Sequence, residues 1–320
     1  MGAQLRVYRR RIKSVQSTKK ITKAMELIAA SRIAKAQARM RAARPYAEEL
    51  TRALAAVLQD GSLKHPMLTG VESPRRVGVL VITSDRGLAG GYSANALKAA
   101  NELAATLEGE GKEVVRYVIG RKGTSYYNFR RLPIAGSWTG FSEQPSFADI
   151  RDATELLEFS LTATSEGEVT RGEETTAGID ELYLVYTQFK NSVTQVAVAE
   201  QLSPVKSATE SAAKAEGEAS PEGTEAEESV SYEFEPDPKE LISALLPRYI
   251  SSRIFSALLE SAASESAARR RAMKSASDNA TELISTYTRL ANQARQAEIT
   301  QEISEIVGGA DALSAAGSDE

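Results

Sequence analysis

The first sixty residues place apolar side chains at the spacing of one helix face. Between positions 4 and 59 the chain has no glycine and a single proline, Pro45, and residues with a high helix propensity predominate. Larger or apolar side chains recur three and four positions apart, which predicts one long amphipathic helix. These positions are Leu5, Tyr8, Ile12, Val15, Ile33, Ala36, Met40, Ala43, Ala47, Leu50, Leu54 and Val57.

The apolar stripe of this helix is interrupted between positions 15 and 33. Lys19 and Glu26 occupy two of its positions, whereas Ile21, Met25 and Ile28 lie beside it. The pattern predicts a stripe that shifts sideways in the middle of the helix, as in a coiled coil with an interrupted heptad.

The C-terminal segment has a more regular stripe, with steps that alternate between four and three residues. Its members are Phe255, Leu259, Ala262, Ser266, Arg269, Met273, Ala276, Ala280, Leu283, Tyr287, Leu290, Ala294 and Ala297. A 3.5-residue period of this length predicts a coiled coil, in which only Ser266 and Arg269 break the apolar character. At about 1.5 Å per residue, a helix over 238–306 spans roughly 100 Å, longer than a globular core can bury. Pro247 predicts a kink in this helix or marks its first turn.

The middle of the chain alternates strand and helix patterns. The continuous apolar run VGVLVIT is typical of a strand buried on both faces. Further strands are predicted at 113–119, 180–189 and 193–202, and helices at 93–107, 121–130 and 147–161. The alternation predicts a mostly parallel sheet flanked by helices. The fold class is therefore an α/β domain plus a long antiparallel coiled coil formed by the N- and C-terminal helices.

Two polar segments interrupt this plan and set the predicted domain boundaries. Residues 165–178 predict a loop inserted before a strand, and residues 203–231 are acidic, of low complexity and predicted to be disordered. The expected organisation is an N-terminal helix over 1–60, an α/β domain over 75–202, the acidic loop over 203–231 and a C-terminal helix over 238–310.

Charge and composition exclude several kinds of site. The net charge of −4 hides a strongly basic first sixty residues, which admit a nucleic-acid scaffold but favour a basic helix that lies inside an acidic collar or near anionic lipid. The absence of cysteine excludes a disulfide framework and a thiol nucleophile, and fits a reducing compartment. No apolar run reaches the length of a membrane span, so any membrane association is expected to go through a partner.

The densest motif is the loop SDRGLAGGYS, at positions 84–93, directly after the first predicted strand. Ligands bind at this place in open α/β sheets, and its glycines could let backbone amides approach a phosphate. The spacings of the Walker loop and of the dinucleotide fingerprint are not met. We favour a tight structural turn with Asp85 and Arg86 in local polar contacts. A stand-alone nucleotide-binding α/β protein with coiled-coil arms stays open as the alternative.

Motifs along nearly the whole chain resemble the gamma subunit of bacterial rotary (F-type) ATP synthases. They are the glycine loop together with ITKAMELIAASR at 21–32, YEFEPDP at 232–238, AMKSASDNA at 272–280 and RQAEITQEISEIVGGA at 295–310. The resemblance implies a central rotor shaft that couples proton flow through the membrane c-ring to ATP synthesis or hydrolysis on an alpha/beta hexamer. Catalysis is then on the beta subunits, and this chain is non-catalytic, with no cofactor and no metal.

The resemblance also implies partners and site residues. Contacts with the alpha and beta subunits are expected at Lys23, Met25, Arg269, Gln296 and Thr300, and contacts with the c-ring at Tyr232, Phe234 and Glu235. The epsilon subunit is a further expected partner. The expected location is peripheral, on the cytoplasmic side of the cell membrane, without nucleic acid and without a membrane span.

The segments 165–178 and 203–231 depart from shorter members of that family. We hypothesise that the acidic segment modulates rotation, ATP hydrolysis above all. Arg269 is a charge on an apolar stripe, which costs stability unless a partner satisfies it. We expect its replacement by alanine to weaken coupling more than stability.

Overall fold

The computed structural model describes residues 3–58, 66–171, 174–205 and 238–316. The chain divides into two compact units. Met1–Ile28 and Arg270–Glu320 form one, here called the helical unit, and Ala29–Arg269 form the other, called the sheet unit. The long helices α1 (Ala3–Leu58) and α6 (Pro238–Ala316) each contribute residues to both units.

Within its described residues, the sheet unit contains a five-stranded sheet. Its strands are β1 (Arg76–Ile82), β2 (Glu113–Ile119), β3 (Gly136–Trp138), β6 (Glu181–Phe189) and β7 (Gln195–Ser203). They lie in the order β3-β2-β1-β6-β7, with β1, β2, β3 and β6 parallel and β7 antiparallel to β6. The predicted mostly parallel sheet is confirmed.

Helices cover both faces of this sheet, which explains the unbroken apolar run of β1. Val77, Val79 and Val81 pack on the side of α3 (Tyr92–Gly109) and α4 (Arg121–Phe129). Leu80 and Ile82 pack on the other side, in a cluster with α5 (Arg151–Ala163) and the sheet-unit parts of α1 and α6. The short helix α2 (Pro66–Thr69) joins this second cluster through Met67 and Leu68.

Three local predictions in the sheet unit need correction. The segment 165–178 is not a plain loop, because β4 (Glu168–Arg171) and β5 (Glu174–Ala177) pair antiparallel. The helix predicted from 147 begins at Arg151, since the carboxylate of Asp149 accepts hydrogen bonds from the amide and hydroxyl of Ser146 and holds a turn there. Pro247 lies inside α6 and is not its first turn. Most of the predicted acidic loop, residues 206–231, lies outside the described residues.

The helical unit buries one face of each long helix. Leu5 and Thr22 of α1 are buried, and so are Met273, Ser277 and Ala280 of α6. Tyr8 and Tyr287 stack with ring centroids 6.4 Å apart, and the Arg11 guanidinium lies 5.6 Å from the centroid of the Tyr287 ring. Aromatic and cation–π contacts of this kind add to the stability that area burial provides.

The sideways shift predicted for the stripe of α1 is wrong. Ile21 and Ile28 are 58% and 54% exposed, whereas the original phase continues through Lys19, Thr22 and Glu26, which are partly or fully buried. Thr22 can occupy the seam because its hydroxyl lies 2.7 Å from the Ser277 hydroxyl of α6. The same hydrogen bond places Ser277 in the seam where Ala276 was predicted.

The predicted stripe of α6 is likewise one residue out of phase at Leu283, which is 45% exposed. Ile284, the next residue, is the more buried of the two. Among the residues that the structure describes, no helix is long and apolar enough to cross a membrane, and no group of acidic and histidine side chains is arranged to hold a metal ion.

Candidate functional site

The glycine loop after β1 is a tight turn organised by the carboxylate of Asp85. This carboxylate accepts hydrogen bonds from the backbone amides of Gly140 at 2.8 Å, Ser142 at 3.0 Å and Arg121 at 3.0 Å. Burial alone would raise the pKa of Asp85, but the hydrogen bonds from Ser142, Gly140 and Arg121 together lower it below its ordinary value. The carboxylate is therefore ionised at neutral pH and ties three loops together.

This arrangement opposes a phosphate site at the loop. The amide of Arg121 opens α4, where a phosphate would bind, and it is already taken by an anionic side chain. Gly120, which precedes α4, has φ +101°, and a Cβ there would lie 2.1 Å from the Thr83 carbonyl oxygen, so this glycine serves close packing. A cavity of about 680 Å³ in the sheet unit has its lining residues on α1, β7 and α6 instead.

Arg269 of α6 lies beneath the glycine loop. Its side chain is 6% exposed, and Nη2 donates to the carbonyl oxygens of Arg86 at 3.2 Å and Gly87 at 3.3 Å. The same nitrogen lies 2.7 Å from Oε1 of Glu265, one helical turn earlier. The partner that the sequence required for this charge is thus supplied by the chain itself.

Glu265 is the least exposed acidic group of this cluster, with a side-chain exposure of 0%. Burial raises its pKa to about 7, and this rise is opposed by the positive charge and hydrogen bond of Arg269. The negative charge of Glu143 also contributes to the rise. Glu265 thus changes its charge near neutral pH.

Glu143 connects the cluster to the other long helix. Its Oε1 lies 3.0 Å from Nη1 of Arg269, and its Oε2 forms a short ion pair with Arg32 of α1. Arg86 of the glycine loop lies 3.8 Å from the same Oε2. The Glu143 side chain is 14% exposed. One carboxylate therefore contacts α1, α6 and the loop after β1.

Tyr92 adds an apolar contact between the glycine loop and α6. It is buried at the start of α3 in a small cluster with Ala89 and Ala268. Burial raises the pKa of its phenol, so the side chain stays neutral. Small side chains at positions 89 and 268 let the loop and the helix approach closely.

The predicted contact residues on α1 and on the C-terminal part of α6 lie in the helical unit. Lys23 is exposed and pairs with Glu26 at 3.0 Å, and Met25 is partly buried. Gln296 and Thr300 are exposed and lie one turn apart, with the Thr300 hydroxyl donating to the Gln296 carbonyl oxygen at 2.9 Å. Within the described part of the sheet unit, Arg269 is the only one of the predicted contact residues. The predicted ring contacts Tyr232, Phe234 and Glu235 lie outside the described residues.

Glu143 and Glu265 were not among the predicted site residues. Glu265 had a usable signal, because it precedes Arg269 by four residues, the spacing of an ion pair on one helix face. Glu143 had none, since it lies in a loop whose place beside both helices depends on the tertiary fold.

Comparisons with known proteins find similar sequences over nearly the whole chain. Residues 4–313 match a family model described as ATP synthase. An ATP synthase gamma chain of Parafrankia is 56% identical over 98% of this chain and 99% of its own length. That of Salinispora arenicola is 55% identical over all of both chains.

Solved structures show the same fold at lower identity. A chain of the Euglena gracilis mitochondrial ATP synthase, in a structure of its F1 and c-ring parts, is 17% identical, covers 98% of this chain and 95% of its own, and has a TM-score of 0.63. A chain from the central stalk and c-ring of the Tetrahymena thermophila mitochondrial enzyme is 23% identical, covers 80% of this chain and 99% of its own, and has a TM-score of 0.53. The family model and the two relatives of 55% and 56% identity show that the chain belongs to the gamma-chain family of the ATP synthases.

Proposed function

We propose that this chain is the rotating central shaft of a proton-driven ATP synthase and catalyses no reaction itself. The observation that carries the proposal is the match over residues 4–313, in a chain whose two terminal helices contact each other in the helical unit through the Thr22–Ser277 hydrogen bond and the Tyr8–Tyr287 ring contact. In this role the chain transmits torque between the c-ring and the alpha/beta hexamer, and ATP is made or hydrolysed on the beta subunits.

Exposed apolar side chains on the helical unit support a partner surface there. Ile21, Leu27 and Ile28 of α1 are between 54% and 62% exposed, and Ile303 and Ile306 of α6 are 56% and 72% exposed. Ile21 and Ile28 are seven residues apart and Ile303 and Ile306 are three apart, so each pair lies on one face of its helix, as the apolar residues of a protein interface do. We assign this surface to the alpha and beta subunits, with the exposed Lys23, Gln296 and Thr300 as polar contacts and the partly buried Met25 as a thioether contact.

The proposed contact of Arg269 with the hexamer is the most constrained. Because its side chain is 6% exposed, it can touch a partner only through that small surface or after its ion pairs open. Its main effect on the partners is then indirect, through the position of the glycine loop and α6.

The proposed membrane-side contacts follow the family. Tyr232, Phe234 and Glu235 contact the c-ring, and the epsilon subunit is a further partner. The complex lies on the cytoplasmic side of the cell membrane. The acidic segment modulates ATP hydrolysis, so deletion of residues 208–228 should change the hydrolysis rate; unchanged synthesis, hydrolysis and assembly would contradict this part.

Co-purification from membranes tests the proposed function. A tagged chain should elute with a nucleotide-binding hexamer and a membrane ring, and equilibrium dialysis of the purified chain should show no micromolar ATP binding. The alternative function predicts the reverse: a chain that elutes alone and binds ATP stoichiometrically, with binding lost when Gly87, Gly90 and Gly91 are replaced. That second outcome would overturn the proposal.

A further inference from the structure

The boundaries of the sheet unit on α1 and on α6 both lie close to the carboxylate of Glu143. Arg32 lies three residues after the first residue of the unit, Ala29, and Arg269 is its last residue. Glu143 contacts both side chains, the first through Oε2 and the second through Oε1. Within the described residues of this unit, Glu143 is thus an ionic connection between α1 and α6 at the point where both helices leave the unit.

We propose that Glu143 is a positioning residue of the rotor, which holds both long helices rigidly to the sheet unit, so that torque passes between the helices and the sheet with little elastic twist. The inference rests on the proposed function, because this rigidity matters only if the chain transmits rotation. Glu143 itself touches neither nucleotide nor ring in this proposal; it acts through Arg32 and Arg269.

The contacts of Glu143 favour a lock over an ordinary surface ion pair. Its side chain and that of Arg269 are 14% and 6% exposed, so their attraction is weakly screened by solvent. Arg269 in turn holds the glycine loop by two hydrogen bonds to backbone carbonyl oxygens. A second set of contacts fixes the glycine loop, because the carboxylate of Asp85 accepts hydrogen bonds from the backbone amides of Gly140 and Ser142, which lie shortly before Glu143. Movement of either helix must therefore break charged contacts.

Charge balance makes the lock depend on Glu143 in particular. Three guanidinium groups, of Arg32, Arg86 and Arg269, face two carboxylates, of Glu143 and Glu265. Removal of the Glu143 charge leaves Glu265 as the acidic partner of Arg269 in the cluster and ends the ion pair of Arg32. The link between α1 and the cluster is then lost, while the link between α6 and the glycine loop remains.

The test measures torsional stiffness in the assembled enzyme. The natural chain has no cysteine, so Phe129→Cys, at a position that is 88% exposed, gives one attachment point for a probe on the sheet domain. With the alpha/beta hexamer fixed to a surface, the angular fluctuation of the probe between ATP-driven steps reports the stiffness. In this background, Glu143→Gln should lower the stiffness about twofold, because the link between α1 and the cluster is lost while the link between α6 and the glycine loop remains.

Matched variants separate positioning from general stability. Glu143→Asp keeps the charge and should restore most of the stiffness. Glu113→Gln removes another ion pair of the sheet unit, the 2.9 Å contact with Arg76, and should leave the stiffness unchanged. Arg32→Gln cuts only the α1 side and keeps the buried pair with Arg269, so it should soften the rotor even if Glu143→Gln fails to assemble.

The outcomes distinguish this inference from the proposed function. If the Phe129→Cys chain with no other change shows no ATP-driven rotation, the proposed function fails. If it rotates, and both Glu143→Gln and Arg32→Gln keep its stiffness, the positioning role of Glu143 is wrong. Softening by Glu113→Gln to the same extent would also contradict it, because the effect would then follow from any lost ion pair.

Discussion

The helix α6 has two stretches of opposite character. From Ser261 to Arg269, in the sheet unit, every residue is buried, including Glu265 and Arg269. From Met273 to Ala291, in the helical unit, only the residues of one face are buried, and they are small or apolar apart from Ser277. Where a helix is surrounded by its own domain, charge is tolerated if every charge has a partner; where it meets one other helix, polar side chains turn to solvent.

The largest expected effect breaks the charged stretch. Arg269→Ala removes the buried ion pairs with Glu265 and Glu143 and the hydrogen bonds to the Arg86 and Gly87 carbonyl oxygens, and we expect the free energy of unfolding of the full chain to fall by about 3–5 kcal/mol. Arg270→Ala is the matched control, because Arg270 is the next residue and is exposed. Denaturant titration measures both, and equal losses for the two variants would contradict the internal pairing. This pairing changes the expectation that Arg269 affects coupling more than stability.

The second effect concerns pH. Burial raises the pKa of Glu265 from its ordinary value of 4.5 to about 7, so between these pH values the folded chain keeps a proton that the unfolded chain releases. Stability should therefore fall as pH rises through this window, by about 3 kcal/mol from this group. Glu265→Gln should remove that part of the slope. Unfolding free energies of both chains at several pH values between 4.5 and 7.5 measure the difference; parallel curves would show that Glu265 does not titrate there.

The third effect concerns the buried hydrogen bond between Thr22 and Ser277 in the helical unit. Thr22→Val removes the hydrogen bond to Ser277 and leaves that hydroxyl buried, at a cost of about 1–2 kcal/mol. The double variant Thr22→Val with Ser277→Ala should recover most of the loss, because neither polar group then remains. Thr18→Val serves as control, since the Thr18 hydroxyl is exposed. Additive losses in the double variant would count against the seam hydrogen bond.

The smallest effect sharpens the phase of the seam. Leu283→Gln replaces a side chain that is 45% exposed, so thermal unfolding should show a change within about 0.5 kcal/mol. Ala280→Gln, at a buried position one turn earlier, should destabilise clearly more. A larger loss at Leu283 would restore the phase that the sequence pattern predicted.

The elements with a repeating or continuous apolar pattern were predictable from the sequence, and the elements without such a pattern were not. The apolar runs of β1, β2 and β6 predicted buried strands correctly, because a strand covered on both faces needs apolar residues throughout. The three-residue β3 was missed since so short a segment carries no period. The polar hairpin of β4 and β5 has no apolar alternation to reveal it. The coiled-coil period located α6, but it could not fix the choice between Ala276 and Ser277, which a hydrogen bond decides.

The site residues also fall into two groups, those that the sequence could suggest and those that only the tertiary fold brings together. Lys23, Met25, Gln296 and Thr300 came from a resemblance and stay predicted contacts, and their exposure or partial burial is compatible with that role. The charged cluster joins residues far apart in sequence, Arg32, Glu143 and Arg269, whose proximity depends on how the loop after β3 folds. Only the Glu265 and Arg269 pair could have been read from local spacing.

Rotation of the sheet domain tests the central claim most directly. A probe on Phe129→Cys, observed in a complex whose alpha/beta hexamer is held on a surface, should turn stepwise in one direction when ATP is added and stop when ATP is removed. A probe that keeps one angle while the same complex hydrolyses ATP at its full rate would contradict the account of this chain as a rotating shaft.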